Sequence, residues 1–232
     1  MPELIPARTE DEVRPPSHCD FCDEFVGGTR NAFHSLYHET LASRTVLATG
    51  NFRVFPSIGQ LLEGYLLIAP SAHYATLDEL PAELVVELRS IFETVNSVLS
   101  QAYGPCVFFE HGARGPIHGG CGIYHAHVHA VPLGEVPDPV DALKLRFPYR
   151  ELARMDDLRR DGQEFSAYLF YQDSNARIYR FDTGSLPSQY MRKLIADRQG
   201  NQDWDWRSAG CEERLFATIR RFLKQHESTK AR

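Results

Sequence analysis

A basic excess is missing from this chain. Its 25 Lys and Arg are outnumbered by 31 Asp and Glu, giving a formal net charge of -6 over 232 residues. Proteins that grip a nucleic-acid backbone usually carry a basic surplus, so no nucleic-acid partner is expected. A small phosphate-bearing ligand, which needs only local donors, remains open. Long apolar runs are missing as well: none approaches the roughly 20 residues that cross a bilayer. Met1 to Pro16, rich in Pro, Glu and Arg, has no apolar stretch of the kind a secretory signal needs. Cysteine is sparse and odd in number, 5 in all, in a chain long enough to bury a core without disulfide staples. These absences describe a reduced, cytoplasmic protein with no membrane partner. Internal repeats and low-complexity segments are absent too.

What is present falls into three stretches. Residues 1–16 read as a flexible N-terminal segment. Within residues 17–135, Arg44 to Ala48, Phe52 to Pro56 and Tyr65 to Ala69 read as strands, with Gly50-Asn51 as a turn. Pro81 then opens a long amphipathic helix to about Tyr103, with Leu84, Leu88, Ile91, Phe92, Val95 and Leu99 on one face. Val107 to Glu110 and Ile123 to Val131 read as further strands around a glycine-rich loop. Strands grouped on either side of one helix predict an α+β domain built on an antiparallel sheet. Residues 136–232 form a C-terminal α/β extension. In it, Asp138 to Asp161 is charged and partly helical, and Ser166 to Gln172 with Arg177 to Phe181 make a hairpin. Gln189 to Asp197 and Cys211 to Gln225 read as helices, the last with Leu215, Ile219, Phe222 and Leu223 as its apolar stripe.

The chemistry-bearing pattern is Tyr124-His125-Ala126-His127-Val128-His129-Ala130-Val131-Pro132. Alternation on a strand sends the three imidazoles to one face and the small apolar residues to the other. Read on residues alone, this is a polar face, a three-histidine metal site or a catalytic cluster. The segment, with the strand and helix order before it, resembles the histidine triad (HIT) superfamily over about residues 17–135. That resemblance implies a HIT-like antiparallel sheet with a long helix, and a small-molecule nucleotide as substrate. It implies hydrolysis at the α-phosphorus through a nucleotidyl-histidine, with release of a nucleoside monophosphate. Candidate substrates are dinucleoside polyphosphates, nucleoside phosphoramidates (phosphoramidase chemistry) and peptidyl or aminoacyl nucleotides. His127 takes the nucleophile's place, His129 donates to phosphate or leaving atom, and backbone N–H groups at Gly120, Cys121 and Gly122 cradle the phosphate. Compact relatives pair as homodimers, which makes a homodimer the expected assembly unless the extension replaces the partner.

Cys19 and Cys22 have the spacing of a metal knuckle, of a redox pair or of two buried thiols. The resemblance implies the first: in the zinc-containing branch the pair joins a histidine in a Pro-x-x-His segment, here His73, and the first triad histidine, His125. The result is a closed structural Zn2+ site. His18 adjoins Cys19 but is awkwardly placed to ligate with it. His34 and His38, four apart on a helix, read as a solvated face rather than a metal pair.

The chain also departs from the family. Tyr65 stands where a histidine often opens the apolar strand. Cys121 and Gly122 replace a Gln and a Ser, and Glu110 lies where an Asn is common. Either Glu110 or His111 contacts an amino leaving group, or Glu110 pairs with Arg114. Phe55, Ser57 and Ile58 match the base- and ribose-facing strand, or serve sheet packing. In the extension, Arg192 and Lys193 at a helix start point to a substrate phosphate or an acidic leaving group, and Trp204 and Trp206 to base stacking or core closure. The extension is expected to cover or flank the active site and to set substrate choice. The same His127 intermediate also suits a nucleotidyltransferase or phosphorylase, although His129 at the third triad position favours hydrolysis. A non-catalytic nucleotide-binding protein is the remaining reading.

Overall fold

The computed structural model describes residues 18–113, 122–162, 167–207 and 211–230. Two short helices lead in: α1 at Asp20–Phe25 and α2 at Ala32–Tyr37. Asn31 caps α2 by accepting from the His34 N–H at 2.8 Å. Strands β1 (Leu47–Ala48), β2 (Phe52–Pro56) and β3 (Leu66–Pro70) follow as an antiparallel meander. A 3-10 turn at Leu77–Glu79 precedes the long helix α3, Ala82–Tyr103, opened by Pro81 and closed by Gly104 at φ 93°. Next come β4 (Cys106–Ala113), β5 (Val128–Pro132), α4 (Val140–Arg146), β6 (Tyr149–Leu152) and α5 (Asp157–Gly162). The chain continues through β7 (Ala167–Gln172), β8 (Ile178–Phe181), α6 (Tyr190–Arg198) and α7 (Glu212–Lys230).

The fold is α+β. All eight strands join one antiparallel sheet in the order β1-β2-β3-β5-β4-β7-β8-β6. The sheet runs across residue 135 without a break, because β4 pairs with β5 on one side and β7 on the other. Period-2 alternation divides its side chains between two cores. One face carries Val54, Ile68, Phe108, Val128, Ala130 and Phe170, covered by the buried stripe of α3 and by Phe222 of α7. The other carries Phe55, Leu67, Val107, Phe109, Val131 and Tyr171, covered by Met191, Ile195 and Ala196 of α6. A single row crosses this second face as Phe55, Leu67, His129, Phe109, Tyr171 and Tyr179, each paired with the next. His129 is therefore a polar group set into an apolar row.

Three elements differ from their sequence pattern. The triad strand, expected from Ile123, starts at Val128, which pairs with Ile68 in the middle of β3. Before it, the Ala126 N–H goes to the Tyr74 carbonyl at 2.7 Å and the Pro70 carbonyl takes the His125 imidazole at 2.8 Å, so residues 125–127 leave the ladder. Strand β4 outruns its expected end at Glu110 because β7 lies alongside it as far as Ala113. The edge strand β6, short and mostly exposed, was hidden in a charged stretch. In α7 the inward face holds Leu215, Thr218 and Phe222, whereas Leu223 is 42% exposed. Thr218 is buried because its hydroxyl accepts the Gly64 N–H and donates to Gln60 Oε1.

Candidate functional site

The CxxC pair falls on the first turn of α1, and this helix stands beside the start of the triad segment. Cys19, Cys22, His73 and His125 converge so that their ligand atoms all lie within 4.8 Å of one another. Cys19 Sγ is 3.4 Å from His125 Nδ1, Cys22 Sγ is 3.5 Å from the same nitrogen, and Cys22 Sγ is 3.4 Å from His73 Nδ1. In a tetrahedron with metal–sulfur and metal–nitrogen bonds of ordinary length, a sulfur–nitrogen edge is about 3.6 Å. The observed spacings match that edge. The outer contact also fits: a carbonyl only accepts, so His125 donates Nε2–H to Pro70 and turns its Nδ1 lone pair toward the two sulfurs. These four residues suit an ion that takes sulfur and nitrogen tetrahedrally. His18 lies apart, hydrogen-bonded to Asp20 at 3.3 Å, and His34 stacks on His38 at the surface.

Two residues on, His127 is buried, with Phe21 of α1 edge-on against its ring at 5.3 Å. Its Nδ1 lies 2.5 Å from the His125 carbonyl. Because that oxygen can only accept, Nδ1 carries the proton and Nε2 keeps the lone pair. His129 stacks on Phe109, sits 4.9 Å from His127 ring to ring, and hydrogen-bonds the Tyr65 hydroxyl through Nδ1 at 2.8 Å. Burial first, then the neighbouring His127, His111 and Arg192, push His129 well below the usual imidazole range, so it is neutral.

A pocket opens over His127 and His129. Ser57, Ile58, Leu67, Phe21, Ile123 and Trp206 line it. Two buried guanidiniums reach it. Arg44 is held by both Glu24 oxygens at 2.7 Å and lies over the Phe55 ring at 4.6 Å. Arg192, one turn into α6, donates to the Trp204 and Gly59 carbonyls and to Ser57 Oγ, and lies over the Tyr65 ring. Ser57, Ile58, Arg192, His127 and His129 thus share one pocket. Phe55 and Tyr65 do not line it; they pack behind it, Phe55 under Arg44 and Tyr65 under His129. Lys193 turns to the Trp204 ring instead. Gly122, at φ 89°, holds a left-handed backbone that favours glycine, and the half-exposed Arg207 guanidinium lies close beside it. Cys121, Gly120 and Arg114 lie outside the described residues. No sequence pattern singles out Phe21, Arg44 or Glu24 as site residues. Phe21 lies inside the CxxC motif itself, but nothing local marks Arg44.

Glu110 is a correction to the substrate-facing expectation. Alternation along β4 points it away from the histidines, into the α3 face, where it is 1% exposed. It accepts the Leu77 N–H at 2.8 Å and the Tyr168 hydroxyl at 2.7 Å. Burial pushes its carboxyl up to about 8 from an ordinary 4.5. Between those values the folded carboxyl holds a proton that the unfolded chain has lost, so stability falls as pH rises through that window. Glu110→Gln should remove this loss. Chemical denaturation at pH 5 and pH 8.5 should show the variant gaining on wild type only at the higher pH, by on the order of a few kcal/mol. An equal effect at both pH values would refute the assignment.

No protein-family model matches the chain. It is 23% identical over 183 residues to CWF19-like protein 1 of Mus musculus, covering 73% of this chain and 33% of that protein. The chain thus spans about a third of the length of this curated relative. Among solved structures, it is similar to a HIT family protein from Bacillus anthracis, at 19% identity, 50% of this chain, 73% of the other and a TM-score of 0.38. A Zn-bound histidine triad family protein from Mycobacterium smegmatis is similar at 20% identity, 49% of this chain, 73% of the other and a TM-score of 0.33. Among the described residues, no helix is long and apolar enough to cross a membrane.

Proposed function

We propose that this protein is a hydrolase that cleaves a nucleotide at its α-phosphorus through a nucleotidyl-histidine at His127, releasing a nucleoside monophosphate. The observation that carries the reading is the Nδ1–H bond from His127 to its own chain's carbonyl at His125, which leaves Nε2 as the nucleophile. The Nε2 lone pair forms the bond to phosphorus while the bond to the leaving group breaks and its electrons depart with that group. The charge arising on the imidazole strengthens the Nδ1–H bond to the carbonyl. Water then attacks the phosphorus, the electrons of the P–N bond return to Nε2, and the water's proton goes to solvent.

The surrounding residues suit this chemistry. With Tyr65 donating to Nδ1, His129 carries its proton on Nε2 and donates it to a phosphate oxygen. Arg192, a buried cation whose hydrogen bonds go to neutral acceptors, and the Gly122 backbone add to the anion site. Ser57 and Ile58 face the nucleoside, with Phe55 supporting them from behind. Zn2+ is the ion that best suits the four-ligand cluster, in a structural role: it would join α1 to the triad segment and so hold Phe21 against His127. The partner is a small nucleotide rather than a nucleic acid. A nucleotidyltransferase using the same intermediate is the second reading; the resemblance, with His129 as the third of the triad, favours hydrolysis.

A panel of nucleotides with P–N, P–O–P and P–S linkages, assayed for nucleoside monophosphate with and without phosphate acceptors, tests the reading. Release without acceptor supports hydrolysis, and nucleotide transfer alone would replace it with the second reading. Tyr65→Phe keeps the ring under Arg192 but removes the hydroxyl that orients His129. It should lower kcat about 10-fold with KM little changed. A rise in KM at constant kcat would contradict that role.

A further inference from the structure

One wall of the histidine cluster carries a group that the reaction drawn above does not use. His111 lies on β4 two residues beyond Phe109, which pairs with His129. It therefore stands on the histidine face, near enough to His127 to feel its charge, and its ring is 6.4 Å from that of His129. Phe109 flanks it, and Leu169 is its paired residue on β7. Both ring nitrogens are shut off from solvent, and neither meets a hydrogen-bond partner among the described residues. Burial, with His127 beside it, holds the imidazole down to about 3, so the ring is neutral near pH 7. A neutral imidazole offers one donor and one acceptor. Leaving both unpaired in an apolar wall is costly, and such a group in a folded protein points to a ligand. The nucleoside side of the pocket, with Ser57, Ile58 and Leu67, lies toward β2 and β3. His111 lies across β5 from it, on the β4 side.

We propose that His111 is a catalytic residue for the leaving group, hydrogen-bonding the atom that departs as His127 attacks phosphorus. This rests on the reading of His127 as nucleophile. Its Nε2 supplies the electron pair of the new P–N bond, and the electrons of the broken bond leave on the departing atom. A departing oxygen accepts the His111 N–H as its charge builds; that proton stays on the imidazole, and the oxygen takes its own from water afterwards. A phosphoramidate nitrogen enters protonated and leaves as a neutral amine, its N–H donated to the acceptor nitrogen of His111. His111 thus assists oxygen and nitrogen leaving groups without changing its own protonation.

The test compares wild type, His111→Phe and His111→Gln on nucleoside 5′-phosphate esters and amidates that share one nucleoside. The series runs from a nitrophenyl ester to an unactivated alkyl ester and an alkyl amidate. Phe keeps the ring and removes both polar atoms, whereas Gln restores a donor and an acceptor. For Phe, kcat/KM should fall about 10-fold on the nitrophenyl ester and about 1000-fold on the alkyl ester and amidate. Gln should recover much of the loss on the poor leaving groups. Breakdown of the nucleotidyl-enzyme, common to the whole series, should be unchanged. An equal loss across the series, or no loss, overturns the inference and leaves the role of His127 standing. Absence of nucleotide release by wild type overturns both.

Discussion

Replacing His127 by Ala is expected to lower nucleoside monophosphate release by about 1000-fold or more, with the fold intact. An enzyme that works through a covalent intermediate loses its route when the nucleophile is removed, and what remains comes from binding and phosphate polarisation. The loss corresponds to at least about 4 kcal/mol of transition-state stabilisation. Folding should survive because His127 makes no ladder bond in the sheet and its segment is held by neighbours: the Ala126 N–H on Tyr74, and Val128 paired with Ile68. His129→Ala should cost less, about 10- to 100-fold, because it removes one donor and not the attacking atom. Progress curves with matched circular dichroism spectra check both. Unchanged release by His127→Ala would place the chemistry on another residue.

If the four-ligand cluster holds Zn2+ as proposed, stripping that ion is expected to have the second largest effect, and it should act on structure first. Six-residue α1 is too short to persist alone. Its cysteines are tied to His73 and His125, 51 and 103 residues further along the chain. An ion joining these segments stabilises both, and structural zinc sites contribute several kcal/mol or more. For a chain of this size each kcal/mol moves Tm by about 2–4 °C, so exhaustive chelation should lower Tm by more than about 10 °C. Activity should fall with it, because released α1 takes away Phe21 from His127 and Glu24 from Arg44. Cys22→Ala should behave like the chelated protein and bind less than one equivalent of Zn2+. The α3 core, built from the opposite sheet face, should keep its amide protection. A metal-free protein with unaltered Tm and activity would contradict a structural site.

The sequence made the histidine cluster legible because strand alternation and an uncommon residue type coincide at His125, His127 and His129. It also brought Cys19 and Cys22 to attention through spacing alone. What it left unresolved were facts of face and neighbour. Glu110 and His111 are adjacent letters with equal claims on a leaving group, and only the register of β4 against β5 separates them. Glu110 turns into the α3 core, and His111 turns to the histidines. Arg192 stands out in the sequence as a charge at a helix start, but its seat beside Ser57 depends on α6 packing over the sheet. Arg44 had no sequence signal, since its partners Glu24 and Pro56 matter only after α1 docks. The edge strand β6 was lost in a charged stretch because an exposed strand has no buried face to reveal its period.

The claim that His127 attacks phosphorus is tested most directly by catching the intermediate. Wild-type protein mixed with a slowly hydrolysed nucleotide, quenched at alkaline pH where phosphohistidine-type bonds survive, and digested for peptide mass analysis should give one nucleotidyl adduct. That adduct should lie on His127 and be absent from His127→Ala. Sustained release of nucleoside monophosphate with no covalent adduct, or with the adduct on another residue, would contradict it.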